Sequence, residues 1–205
     1  MPIAKHDLRQ VGRPRSEAPK SHSAIMDAVY ALLQEKSVRE LTMEAVAKRA
    51  GVGKPTLYKW WPSKAALIFA MFNERMVSKI EPSAAKSAEE ALRVKARHLI
   101  EQFNGLFGKV IAELIAEGQS DPSVLHELNE RHIGLRRAST IAEVERGKHN
   151  GEFHSDVNAE LVVDAVFGPI YYRLLLQIKP ITQQYVDSLI DQVLRGLRRT
   201  KTVVK

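Results

Sequence analysis

The chain has 205 residues, of which 44% are apolar and 27% charged, with no cysteine and a formal net charge of +7. That length can bury a real core in one large or two modest domains, and the missing cysteines exclude a disulfide framework. The opening residues lack an apolar run of signal-peptide type, and the most apolar stretch, 165–178, is interrupted by Gly168, Pro169 and Arg173, so a cytoplasmic protein with no membrane partner is expected.

The positive charge is concentrated at one end. Residues 1–64 hold twelve Lys and Arg against six acids, whereas the rest of the chain is close to neutral. This is the electrostatic footprint of a nucleic-acid-binding end on a neutral body. Residues 1–20, with Gly12-Arg13-Pro14-Arg15 and few large apolar groups, read as a basic arm. Arg13 and Arg15 on such a narrow, extended segment suit an A·T-rich minor groove; a solubilising tail is the alternative.

From Ser21 or Ser23 to about Lys36, Ile25, Ala28, Val29, Leu32 and Leu33 recur at helical spacing and predict a first helix. Thr42 then opens a second helix as its N-cap, with Val46, Ala47 and Ala50 on one face, and Gly51 ends it. Gly53 starts a third helix with Pro55 in its first turn, where a missing N–H costs nothing. Leu57 faces inward, which leaves Lys54, Thr56, Tyr58 and Lys59 outward beside an open helix N-terminus. Two cations, a hydroxyl and a phenol suit phosphates and base edges in a major groove. Pro62 stops the helix, and Ser63-Lys64 begins the next.

The ordered set Thr42, Ala50-Gly51-Val52, Leu57-Tyr58, Trp60-Trp61 and Lys64 resembles the helix-turn-helix domain of TetR-family transcriptional regulators. The resemblance implies that Thr42, Lys54, Thr56, Tyr58, Trp60 and Lys64 face DNA, with Pro55 and Lys59 on the same surface, while Trp61 packs inward. Gly53, Pro55 and Trp60 depart from the family pattern, which more often has Ser, Gly and His or Tyr at those positions. An indole N–H can donate to a phosphate but carries no charge.

A long helix from Ser63 to about Ile80 follows, and Glu81-Pro82-Ser83 marks a boundary. The resemblance makes residues 21–80 the DNA-binding domain, with 63–80 its linking helix, and residues 81–200 a larger effector-binding and dimerisation domain. In that second part, Ser87–Asn104 is amphipathic, and Gly105 and Gly108 bracket a bend. A helix then runs to Gly118, and another opens at Asp121-Pro122, with Leu125, Leu128, His132 and Leu135 on one stripe. Phe103, Phe107 and His132 are candidates to line a ligand cavity; core filling is the competing reading of the same stripe. His126-Glu127 and His132 lack the four-residue spacing of a His-Glu-x-x-His zinc site, so no metal is expected.

Asn158–Ile178 is apolar on nearly every side and is bent at Gly168-Pro169, so it needs more cover than one chain supplies. The last helix, Thr182 to about Arg198, sets an apolar face opposite Asp187, Asp191 and Arg195. Val166, Ile170 and Leu174 of the first, with Val186, Leu189, Ile190, Val193 and Leu197 of the second, are the expected faces of a four-helix homodimer interface. The resulting expectation is an all-α homodimer whose recognition helices stand about 34–36 Å apart on a palindromic double-stranded operator. The family resemblance implies repression relieved by a small-molecule effector. An effector-independent DNA-binding dimer stays open. An enzyme finds no support, because the chain has no Gly-rich phosphate loop, no Gly-x-Ser-x-Gly elbow and no cysteine nucleophile, and no catalytic residue or cofactor is assigned.

Overall fold

The computed structural model describes residues 19–75 and 85–197. The arm with Arg13 and Arg15, the end of the linking helix, the break at Glu81-Pro82-Ser83 and the basic tail all lie outside these residues. Among the described residues the regular structure is helical: α1 (Pro19–Glu35), α2 (Met43–Ala50), α3 (Lys54–Trp60), α4 (Lys64–Arg75), α5 (Ala88–Phe103), α6 (Leu106–Gly118), α7 (Pro122–Leu128), a π turn (Asn129–Ile133), α8 (Gly134–His149), α9 (Ala159–Leu176) and α10 (Gln183–Arg195).

In the first four helices the expected inward residues are buried, apart from Ala50, which is half-covered. Ile25, Val29, Leu33, Val46, Leu57 and Trp61 meet in one core, and Leu67, Phe69 and Phe72 of α4 close it. From Ala65 to Phe72, α4 buries every residue except Ala70, because it lies between α1 on one side and α7 on the other. The core therefore continues without interruption into the C-terminal helices.

Two glycines set the helix spacing there. A Cβ at Gly108 would stand 2.0 Å from the Phe103 carbonyl oxygen, so only glycine lets α6 turn back so tightly against the end of α5. A Cβ at Gly147 would meet the Phe153 ring at 2.6 Å and Ala88 at 2.7 Å, which locks α8 to the start of α5. Gly108 thus lies inside α6 at a close approach rather than at the edge of a bend.

The single stripe expected after Asp121 does not survive. Leu128 and His132 are buried, but Leu135 is 67% exposed. The wider π turn between them rotates the phase of the helix, so a regular helical repeat carries across it only as far as His132.

Helix α9 is divided lengthwise. Val162, Val163, Val166 and Ile170 face the protomer's own core, while Leu161, Tyr172, Leu175 and Leu176 are exposed. Pro169 sits inside the helix, and its carbonyl accepts from the Tyr185 hydroxyl of α10 at 3.5 Å. Helix α10 is held to α5 by Arg97, whose guanidinium donates to Asp187 at 2.9 Å, and by Arg93, which pairs with Asp191. Four of the expected interface residues are thereby corrected. Val166, Ile170, Val186 and Ile190 are fully buried within the protomer, because α10 lays that face on α5 and α9. Leu174, Leu189, Val193 and Leu197 are only partly covered.

Candidate nucleic-acid interface and its coupling to the C-terminal helices

The turn between α2 and α3 is built by three local devices. The Thr42 hydroxyl accepts from Ala45 N–H at 3.1 Å and caps α2. Gly51 ends that helix at φ 67°, a left-handed conformation that favours glycine, and the Val52 N–H closes onto the Ala47 carbonyl at 3.0 Å. Gly53 precedes α3 in extended conformation with no side-chain cap; Pro55 has no N–H and the Thr56 N–H donates to the Gly53 carbonyl at 3.0 Å, so the open helix N-terminus expected there is partly closed on itself.

Lys54, Pro55, Thr56, Tyr58 and Lys59 are all exposed on the outer side of α3, and Leu57 is fully buried beneath them. Trp60 is half-buried and Trp61 points inward, as the resemblance implies. The cations are already engaged. Lys54 pairs with Glu44 of α2, and its hydrogen bond draws the Glu44 carboxyl below the usual range. Lys59 Nζ lies 5.1 Å from the centre of the Trp60 ring. An exposed pair of this sort is weak, so a phosphate can displace Glu44 at little cost.

Lys64 departs from expectation. Instead of facing the α3 surface, its ammonium donates to the Val38 carbonyl at 2.8 Å and to Glu117 of α6 at 3.0 Å. Ser63, the N-cap of α4, accepts from Ala66 N–H at 2.9 Å while its hydroxyl donates to Glu127 of α7 at 2.7 Å. Val38 N–H donates to Glu113 of α6 at 2.6 Å. Three carboxylates from α6 and α7 therefore hold the loop before α2 and the head of α4. None of the three is distinguishable in the sequence from an ordinary solvated helix face.

Phe103, Phe107 and His132 are brought together in the interior. The Phe107 ring stands 4.9 Å from His132 and 6.1 Å from Phe103. The array extends to Phe69 of α4, 6.2 Å from His132, and to Tyr171 of α9, 5.1 Å from Phe103. A continuous set of rings thus joins the linking helix to the half-exposed helix α9. Burial pushes His132 down to about 3, with the nearby Arg136 charge adding to the effect, so the ring is neutral. Sequence reasoning misses Arg136 itself, because Arg136-Arg137 on a helix reads as a solvated pair.

A crossed α2–α3 pair presenting polar and cationic groups, carried on a helical body, defines a helix-turn-helix DNA-binding protein. Residues 25–71 match the family described as bacterial regulatory proteins, tetR family, and residues 83–193 match the tetracyclin repressor-like, C-terminal domain. The HTH-type transcriptional regulator YdeS of Bacillus subtilis (strain 168) is 34% identical over 92% of this chain and 94% of its own. Rv1556 of Mycobacterium tuberculosis (strain ATCC 25618 / H37Rv) is 28% identical over 89% of this chain and 91% of its own. The TetR family regulator SCO0332 has a similar fold, with a TM-score of 0.72 and 27% identity, covering 88% of this chain and 100% of that one. FadR from Bacillus subtilis, solved in complex with stearoyl-CoA, gives a TM-score of 0.68 at 20% identity over 85% of this chain and 98% of its own. The chain belongs to the TetR family of helix-turn-helix transcriptional regulators.

Proposed function

We propose that the chain is a cytoplasmic, ligand-responsive repressor that binds a palindromic operator as a homodimer. The observation that carries this reading is the attachment of the α3 platform to the C-terminal helices through Ser63–Glu127 and Lys64–Glu117, which gives a ligand in those helices a lever on α4. A ligand releases DNA only by preferring the arrangement in which the platforms are wrongly spaced. FadR, whose fold is similar, was solved with stearoyl-CoA, which supports reading the same region here as an effector domain.

The dimer reading rests on α9. Leu161, Gly168, Tyr172 and Leu175 lie along one exposed side of the helix at three-, four- and seven-residue spacings, and a Cβ at Gly168 would meet nothing. A seam of this spacing with a small residue at its centre suits close packing against a second copy. Tyr185, Leu189 and Val193 of α10, all half-covered, continue it.

Selecting genomic fragments on the immobilised protein tests the proposal. It predicts retention of fragments that share a two-fold symmetric site, and footprints with two protected half-sites. Fragments sharing no common sequence would contradict it.

A further inference from the structure

Among the described residues, His132 Nε2 and Arg136 Nη2 are buried with no hydrogen-bond partner, and both lie beside the ring array. His132 is 4% exposed. The Arg136 guanidinium carbon stands 5.7 Å from the centre of the Phe107 ring, and no carboxylate among the described residues pairs with it. Its neighbours do not compensate it. From α5 it faces Lys95 and His98, from the π turn His132, and from α9 the Tyr171 phenol. The acids that act on Lys95 and His98 are committed elsewhere: Glu143 pairs with Arg146 at 2.7 Å, and Glu101 lies 3.9 Å from His98. A mostly buried cation beside a second cation and two histidines is costly unless an anion joins it.

We infer that Arg136, with His132 Nε2 and the rings of Phe103, Phe107 and Tyr171, is the anchor of an effector site for a small carboxylate that carries an aromatic body. The inference rests on reading these helices as an effector domain. A guanidinium presents a planar fork that matches one carboxylate, and a single uncompensated positive charge calls for a single negative one. Edge and face packing from rings on α5, α6 and α9 suits a flat apolar body better than a flexible chain. Burial works against the charge on Arg136 and holds the Tyr171 phenol protonated, at about 12, so the phenol is able to donate to the same anion. The π turn that places His132 is a deviation of the kind found at ligand sites.

The test is calorimetric titration of the full-length protein without DNA. The probes are phenylacetate, 1-naphthoate and decanoate, each beside its carboxamide, with Arg136→Met run in parallel. The site predicts that an aromatic carboxylate binds about 10- to 100-fold more tightly than its amide, that decanoate is weaker, and that Arg136→Met removes the preference for the acid. It also predicts a melting temperature for ligand-free Arg136→Met at or above that of the parent, since an uncompensated charge has gone. Equal binding of acids and amides, no binding of any carboxylate, or decanoate matching the aromatic acids would overturn the assignment. So would undiminished carboxylate binding by Arg136→Met together with a lower melting temperature, which would make Arg136 a packing residue. Operator binding is measured separately, so loss of carboxylate binding with DNA binding intact removes this inference alone.

Discussion

Lys64 Nζ is 3.0 Å from Glu117 Oε1, so the cation that the family resemblance assigns to a DNA phosphate is held by the C-terminal helices instead. A phosphate would reach this ammonium group only by displacing Glu117. Both side chains are mostly covered, and the pair is backed by the Val38 carbonyl at 2.8 Å.

Glu117→Gln should free Lys64 and tighten operator binding about 2- to 5-fold, the worth of roughly 0.4–1 kcal/mol for such a pair. Lys64→Ala should weaken binding to any site and lower the slope of log affinity against log salt by about 0.9 for each phosphate no longer neutralised. Fluorescence anisotropy across a salt series reads both. An unchanged slope for Lys64→Ala would leave the residue a purely structural latch.

On α9 and α10, exposed and buried apolar residues should respond differently to charge. Tyr172→Glu with Leu175→Glu, on the open side of α9, should split the proposed homodimer while leaving helical circular dichroism unchanged. Val186→Glu, fully buried in the protomer, should unfold the chain. Sedimentation velocity distinguishes the cases, and an intact dimer for the Tyr172/Leu175 variant would reject this interface.

His132 gives the fold an acid-sensitive point. Its folded value of about 3 lies below the usual 6.5, so an unfolded chain takes up a proton that the folded chain refuses. The associated stability is complete above the unfolded value and is lost as pH falls below it, by on the order of 2 kcal/mol at pH 5. His132→Phe retains ring packing with Phe69 and Phe107 and should flatten this acid limb in melting experiments between pH 7.5 and 5. Parallel profiles for the two proteins would show that His132 does not titrate on unfolding.

Gly108→Ala should destabilise the protein by about 1–3 kcal/mol or more, because the obstacle is the Phe103 backbone and not a flexible side chain. Urea unfolding measures it. A loss no larger than that of an exposed Gly196→Ala control, where a Cβ has room, would mean that α6 can move away from α5.

The helix-turn-helix is legible in the sequence because its signals are local: a threonine cap, a left-handed glycine, a proline in a first turn, and Leu57 as the only inward residue of a short helix. Lys64 is misplaced by such reasoning because its partner Glu117 is 53 positions away. Four of the eight residues expected at a homodimer face are misplaced for a similar reason, being buried within the protomer. Periodicity finds the apolar sides of α9 and α10, but which side meets the protomer depends on α5, whose Arg93 and Arg97 capture Asp191 and Asp187. The π turn is invisible, since no residue pattern marks it, and it shifts Leu135 out of the core. Arg136 escapes notice because being mostly buried and uncompensated is a property of surroundings, not of spacing.

The most direct test is the stoichiometry and salt dependence of binding to a selected operator, for the parent and for Tyr58→Ala. Two recognition helices acting together predict two chains per site, affinity that falls steeply with salt, and weaker binding by Tyr58→Ala at every salt concentration. A protein that stays monomeric and ignores duplex DNA at low ionic strength would contradict it.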